Sequence, residues 1–275
     1  MRSLIYKNHV PIKKLGQNFL QNKEIINQII NLININKNDN IIEIGSGLGA
    51  LTFPICRIIK KMIVLEIDED LVFFLTQSLF IKKLQIIIAD IIKFDFCCFF
   101  SLQKYKKYRF IGNLPYNIAT IFFLKTIKFL YNIIDMHFMF QKEVAKRLLA
   151  TPGTKEYGRL SIIAQYFYKI ETVINVNKFN FFPTPKVDST FLRFTPKYFN
   201  SKYKIDKHFS VLELITRFSF QHRRKFLNNN LISLFSTKEL ISLDIDPYSR
   251  AENVSLIQYC KLMKYYLKRK ILCLD

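Results

Sequence analysis

Ile41-Ile42-Glu43-Ile44 runs into Gly45-Ser46-Gly47-Leu48-Gly49, in a chain that has only seven glycines. An apolar run ending in Gly-x-Gly-x-Gly before a helical pattern makes a tight turn, and a ligand can approach its backbone closely because no Cβ intervenes. The plain alternative is the same turn with no ligand. About 20 residues beyond the loop, the next apolar run closes on Glu66, where a carboxylate can accept hydrogen bonds from ribose hydroxyls. The run Ile86-Ile87-Ile88-Ala89 closes on Asp90, which can bond an adenine amino group or simply cap a helix. Gly45, Glu66 and Asp90 together suit an adenosine-bearing cofactor. They do not separate NAD from S-adenosyl-L-methionine, although Ala50 stands where the dinucleotide fingerprint places its third glycine.

A fourth run, Phe110-Ile111-Gly112, opens into Asn113-Leu114-Pro115-Tyr116. An exocyclic base amine is a poor nucleophile because its lone pair is delocalised into the ring. Methylating it requires acceptors for both amine hydrogens, so that the nitrogen moves towards tetrahedral and its lone pair faces the methyl donor. The Asn113 side-chain carbonyl and the Leu114 backbone carbonyl, held by Pro115, can supply them. Tyr116 can then stack on the flipped base. No general base is needed beforehand, so the rate rests on positioning for in-line attack.

Strands must end where these residues stand. Runs apolar on both faces at Ile41–Gly45, Met62–Ile67, Ile86–Asp90, Arg109–Asn113 and Met136–Gln141 alternate with helical patterns, which predicts a parallel sheet covered by helices. Ligands of such a sheet lie at the carboxyl ends of its strands. Thr172–Val176 and Thr190–Thr195 read as strands extending it, residues 197–206 as a linker, and the remainder as helical, ending in a helix over Glu252–Lys268. The expectation is an α/β Rossmann-like methyltransferase domain over residues 1–200, with a small C-terminal all-α domain over 201–275.

The net charge of +21 is a clue to a polyanionic partner, set against a Lys-rich composition that raises the background across the chain. It is uneven: residues 1–40 carry +4, 41–100 carry −1, 101–200 carry +11 and 201–275 carry +7. The near-neutral block holds the glycine loop and its acids, consistent with a cationic cofactor. Clusters at Lys104, Lys106, Lys107 and Arg109, at Lys142, Lys146 and Arg147, and at Arg223, Arg224 and Lys225 are interleaved with Tyr105, Tyr108, His222 and Phe226, a pattern that suits RNA as well as a solvated face. Five cysteines without C-x-x-C spacing predict no structural metal, and no run of 18 apolar residues predicts a membrane span.

The chain resembles the small-subunit ribosomal RNA adenine dimethyltransferases nearly end to end. Besides the two motifs above, the resemblance is carried by Lys14-Leu15-Gly16-Gln17-Asn18-Phe19-Leu20, the segment Met139 to Leu148, Tyr157-Gly158-Arg159-Leu160-Ser161, Phe181-Phe182-Pro183-Thr184-Pro185-Lys186-Val187-Asp188-Ser189 and Arg250-Ala251-Glu252-Asn253. It implies S-adenosyl-L-methionine as cofactor, held by Asn18, Leu20, Gly45, Glu66, Asp90 and Asn113. It implies that Asn113, Leu114 and Tyr116 receive the target adenine, with Phe181 or its neighbour Phe182 as a second stacking platform. It further implies an enzyme acting on 16S rRNA in the small ribosomal subunit or its precursor; the cysteine pattern and the absence of a long apolar run suggest the cytoplasm, and a monomer is the simplest expectation. The rivals are a large-subunit enzyme of the macrolide-resistance type and a ribosome-assembly factor without turnover. One departure is Ile121 after Ala119-Thr120, where the family often has Pro.

Overall fold

Nine strands form among the residues described by the computed structural model, which are 9–103, 106–197, 199 and 201–272. Lys104 and Tyr105 of the first basic cluster lie outside them. The strands are β1 (Phe19–Leu20), β2 (Ile41–Ile44), β3 (Met62–Glu66), β4 (Leu84–Ile88), β5 (Tyr108–Gly112), β6 (Ile133–Gln141), β7 (Tyr168–Val176), β8 (Phe181–Phe182) and β9 (Ser189–Pro196). Seven of them make one sheet in the order β4-β3-β2-β5-β6-β9-β7, in which β2 to β6 are parallel and β9 is antiparallel to β6. The connections leave β2 towards β3 and β4 on one side and return to β5 on the other. The crevice of a doubly wound sheet therefore opens at the carboxyl ends of β2 and β5. β1 and β8 form a separate antiparallel ribbon.

β2, β3 and β5 are buried along their whole length, as their two-sided apolar sequences require. β4 departs from that expectation and is half exposed, because it is the edge strand. Helix Lys23–Ile33 is begun by Asn22, whose side chain accepts from Glu24 N and Ile25 N, and it buries Ile26, Ile29, Ile30 and Ile33 at helical spacing. Phe96, Phe100, Phe110, Phe122 and Phe129 meet ring to ring in the core, so part of the abundant Phe fills volume on one side of the sheet.

Arg109 is not part of a surface patch. Its Nε and Nη2 make paired bonds of 2.8 and 2.9 Å to Asp135 on the adjoining strand, and the guanidinium also donates to Ile33 O, Asn34 O and Asp39 Oδ2. It thus caps the carbonyl end of helix Lys23–Ile33, and a five-donor fork is needed to do so. Burial alone would raise the Asp135 carboxyl, but the hydrogen-bonded Arg109 and the nearby Arg193 hold it below the ordinary range.

His137 lies beside this network, fully buried and stacked on Phe191, with no hydrogen-bond partner for either ring nitrogen among the described residues. Burial pushes its pKa from 6.5 down to about 4. The unfolded chain then binds a proton that the folded chain refuses, so stability is complete above pH 6.5 and drains as the pH falls towards 4. The loss is on the order of 3 kcal/mol. His137→Leu is expected to flatten this part of the stability curve whatever its offset at neutral pH. Urea denaturation between pH 7 and 4 checks this, and a variant slope equal to that of the original chain would refute it.

The chain divides into two compact units, residues 1–145 with 171–196 and residues 146–170 with 197–275. The boundary expected at residue 200 is corrected, because 146–170 belongs with the helical tail. Ala150, Tyr157 and Ile162 pack with Leu212, Leu227, Leu240 and Tyr259 in the second unit's core. The expected linker shortens too, since Ser201 caps a helix, Lys202–Ser219. The last helix, Leu256–Leu272, starts later than the sequence pattern indicates, after a separate turn at Ala251–Asn253. Within this unit Arg223 Nη2 donates to Lys155 O, Tyr157 O and Glu252 Oε2 at 2.9–3.1 Å. The Tyr157 and Glu252 motifs are therefore joined through one guanidinium, which is structural.

Candidate active site

The turn after β2 is built as its glycines require. Gly45, Gly47 and Gly49 all have positive φ, and a Cβ at Gly47 would stand 3.1 Å from the Phe19 ring. Glycine here serves the backbone conformation and the close approach of the N-terminal arm together.

Glu66 ends β3 at 5% exposure. Its Oε2 accepts from Gly47 N at 2.9 Å, and its Oε1 accepts from Ile67 N at 2.9 Å and Asp68 N at 3.2 Å. Burial raises its pKa, while these backbone donors oppose the rise. Asp90 follows β4, and its Oδ1 accepts from Ile92 N at 2.8 Å. That oxygen holds a turn rather than capping a helix, since the next helix, Phe96–Ser101, is capped by Asp95, and Asp90 still lines the cavity described below.

Beyond β5, a Cβ on Gly112 would lie 2.6 Å from Ile44 O of the neighbouring strand, so only glycine lets the two strands stay paired there. Asn113 donates Nδ2–H to Asn18 O at 2.8 Å, and Asn18 in turn donates to Gly16 O. Leu114 is buried, and Ile118 N and Ala119 N both bond Pro115 O, so the helix Tyr116–Thr126 takes its first acceptor one residue past the Leu114 carbonyl. The helix continues unbroken through exposed Ile121 despite the missing Pro. Tyr116 Oη lies 2.5 Å from Ser189 Oγ on β9, which fixes the ring.

A cavity of about 350 Å³ joins Asn18, Leu20, Gly45, Glu66, Asp90 and Asn113, all six residues expected to hold the cofactor. Leu114 lines it as well. Phe181 does not join them. It is 1% exposed and packed in the core with Leu20, Met139 and Phe191, because pairing of β8 with β1 turns it inwards. In this structure it offers no open face to a base, which corrects its expected place as a platform.

Sequence reasoning gave no role to Glu43, to Gln17 or to the group His9, Asp68 and Asp70. Glu43 lines the cavity at 2% exposure with Oε2 unpartnered among the described residues, and burial pushes its pKa up to about 8. An acid inside an apolar strand was the available signal. Gln17 donates to Asp68 Oδ2 at 2.6 Å and accepts from Ile12 N at 2.7 Å, tying the arm to the end of β3. His9, Asp68 and Asp70 bring three potential metal-ligand atoms within 4.8 Å, yet Gln17 Nε2 and Asp70 N already donate to the Asp68 carboxylate.

Residues 9–268 match the model of a family described as ribosomal RNA adenine dimethylase. The chain belongs to the ribosomal RNA adenine dimethylase family. This dimethylase is 47% identical over 267 residues to the ribosomal RNA small subunit methyltransferase A of Buchnera aphidicola subsp. Acyrthosiphon pisum, with 96% of each chain covered. It is 44% identical over 262 residues to the protein of the same name from Legionella pneumophila, covering 94% of this chain and 98% of that one. The crystal structure of a dimethyladenosine transferase from Plasmodium falciparum has a TM-score of 0.76 at 27% identity, over 92% of this chain and 98% of the other. That of the 23S rRNA methyltransferase ErmE has a TM-score of 0.66 at 20% identity over 90% and 98%, a likeness of fold alone. The dimethylase is thus an S-adenosyl-L-methionine-dependent enzyme. Its cavity fits that cofactor, since the glycine turn and the strand-end acids Glu66 and Asp90 line it together, and the buried Glu43 adds an unpartnered oxygen among the described residues.

Proposed function

We propose that the chain dimethylates the N6 amines of two adjacent adenosines in the 3′-terminal hairpin loop of 16S rRNA, within the small ribosomal subunit or its precursor. The observation that carries this reading is the bond from Asn113 Nδ2–H to Asn18 O. It commits the amide's donor end to the protein and leaves Oδ1 to accept from the substrate. The high identity to small-subunit methyltransferases supports the choice of rRNA.

When bound, the cofactor supplies a methyl group on a sulfonium. Glu66 holds the ribose, Asp90 uses its remaining oxygen for the adenine, the Gly45 turn gives backbone access, and Asn18 and Leu20 of the arm cover the methionine end. Asn113 Oδ1 and Leu114 O each accept one hydrogen of the target amine, directing its lone pair along the axis of attack. The bound cofactor would supply its methyl group to that lone pair, and the amine, acidic only once methylated, would then lose a proton to water. Stacking rests on Tyr116, anchored by Ser189; a base could be taken up beside Phe181 only by displacing the core packing of that ring.

Incubation with labelled S-adenosyl-L-methionine and unmethylated small subunits is expected to label adjacent adenosines near the 3′ end. Label on large-subunit rRNA would favour the macrolide-resistance type, no label would favour an assembly factor without turnover, and either result would refute the proposal. No helix among the described residues is long and apolar enough to cross a membrane. A monomer working in the cytoplasm, where subunits are assembled, completes this reading.

Exposed Lys142, Lys146, Arg147, Arg224 and Lys225 offer charge for rRNA phosphate, whereas Arg223 is spent on the protein. Arg224→Glu with Lys225→Glu is expected to weaken subunit binding and to lower the slope of log affinity against log salt by about 1 to 2. An unchanged slope would return both residues to a solvated face.

A further inference from the structure

Phe226 and Tyr248 form an exposed aromatic pair in the helical unit. Their ring centroids are 6.0 Å apart at 90°, yet the residues remain 49% and 62% exposed. Mutual shielding is therefore incomplete, and both rings keep an open face. The pair is also held firmly. Leu227 N bonds Ser249 O at 2.8 Å and Asn228 N bonds Pro247 O at 3.0 Å, so the backbones carrying the two rings are stitched together. Asn230 Nδ2 donates to Ser219 O and His222 O, fixing the preceding turn. Arg224 and Lys225 directly precede Phe226 in sequence and Arg250 follows Tyr248 by two residues; all three are exposed and, unlike Arg223, have no acid partner among the described residues. The nearest acid in sequence is Asp246.

We infer that Phe226 and Tyr248 form a stacking platform for an unpaired nucleotide of the rRNA substrate, separate from the site that receives the target adenine. This rests on the proposed rRNA substrate and extends it to a second surface. A preorganised ring beside cations fits single-stranded RNA, since any base has a π-face to stack and the adjoining phosphates are met by Arg224, Lys225 and Arg250. A protein partner would leave those three charges uncompensated unless it were acidic, and charge complementarity favours RNA.

The test uses the full chain, unmethylated small subunits and protein-free small-subunit rRNA. Phe226→Leu keeps an apolar side chain and removes the ring, Tyr248→Ala removes the other, and Tyr248→Phe keeps it. Phe226→Leu and Tyr248→Ala are each expected to weaken binding to both RNA forms roughly tenfold with an unchanged salt slope, while Tyr248→Phe binds as the original does. Thermal unfolding should stay unchanged, because both rings are exposed. Normal binding by Phe226→Leu and Tyr248→Ala would overturn the inference. So would weakened binding to intact subunits with normal binding to bare rRNA, which would point to a ribosomal protein. If the original chain methylates small-subunit adenosines in that outcome, only the platform fails; if it methylates none, the functional reading fails with it.

Discussion

Asn113→Ala retains its cofactor, with affinity reduced a few-fold at most, and transfers methyl about 10²- to 10³-fold more slowly. Losing one of two groups that act on the reacting amine is comparable to losing one donor from a preorganised charge-stabilising site. Alanine removes the Oδ1 acceptor, so one amine hydrogen is unpaired and the lone pair stays conjugated with the base. The backbone around it survives, because Gly112 and Pro115 set the turn and β5 is buried throughout. Asn113→Asp is also expected to fail, since a carboxylate cannot donate to Asn18 O and would face that carbonyl with like polarity. Single-turnover methylation with equilibrium dialysis of the cofactor separates the two effects. A normal transfer rate in Asn113→Ala would defeat the acceptor assignment.

Glu66→Ala has the opposite signature: cofactor affinity falls about 100-fold, while transfer at saturating cofactor stays within a few-fold. Two ribose hydroxyls lose a charged acceptor, each such bond contributing about 1.5–3 kcal/mol. The donors Gly47 N, Ile67 N and Asp68 N lose their partner as well. Glu66→Gln should restore little, because its amide must turn an N–H towards one of those N–H groups. Because burial raises the Glu66 pKa, acid should weaken cofactor binding at a higher pH than an exposed carboxylate would. The protonated carboxyl has lost acceptor capacity, so affinity declines as pH falls. Titration calorimetry of the variants and of the original chain across acidic pH measures both expectations, and an unchanged affinity in Glu66→Ala would remove Glu66 from the ribose.

Strand ends were the most legible part of the chain. Gly45, Glu66, Asp90 and Asn113 each follow a run apolar on both faces, and a parallel sheet brings such ends to one edge whatever the loops between them do. The −1 block resolves in the same way, since Glu43, Glu66 and Asp90 from it line one cavity. Tertiary packing was less legible. Arg109 sat among lysines in sequence, but only the pairing of β5 with β6 reveals Asp135 beside it. Phe181 and Phe182 differ by which face of a two-residue strand they occupy, and that is set by pairing with β1, Leu20 with Phe181 and Phe19 with Phe182, partners 161 and 163 residues apart in sequence that only the fold brings together. Segment 146–170 looked continuous with the sheet because its helices resemble those before it; its membership of the second unit depends on which distant side chains it meets.

The bond between Asn113 and Asn18 also decides which way the Asn113 amide faces. A primary amide has two ends of nearly equal shape and opposite polarity, and without Asn18 O the Asn113 amide can rotate by half a turn. In one orientation it offers an acceptor to the target amine, and in the other it sets donor against donor. The arm therefore fixes the polarity of the site. Without that bond the site would hold a mixed population of amides, part of it unable to react, so the backbone of the arm does for the chemistry what no side chain of the pocket can do alone.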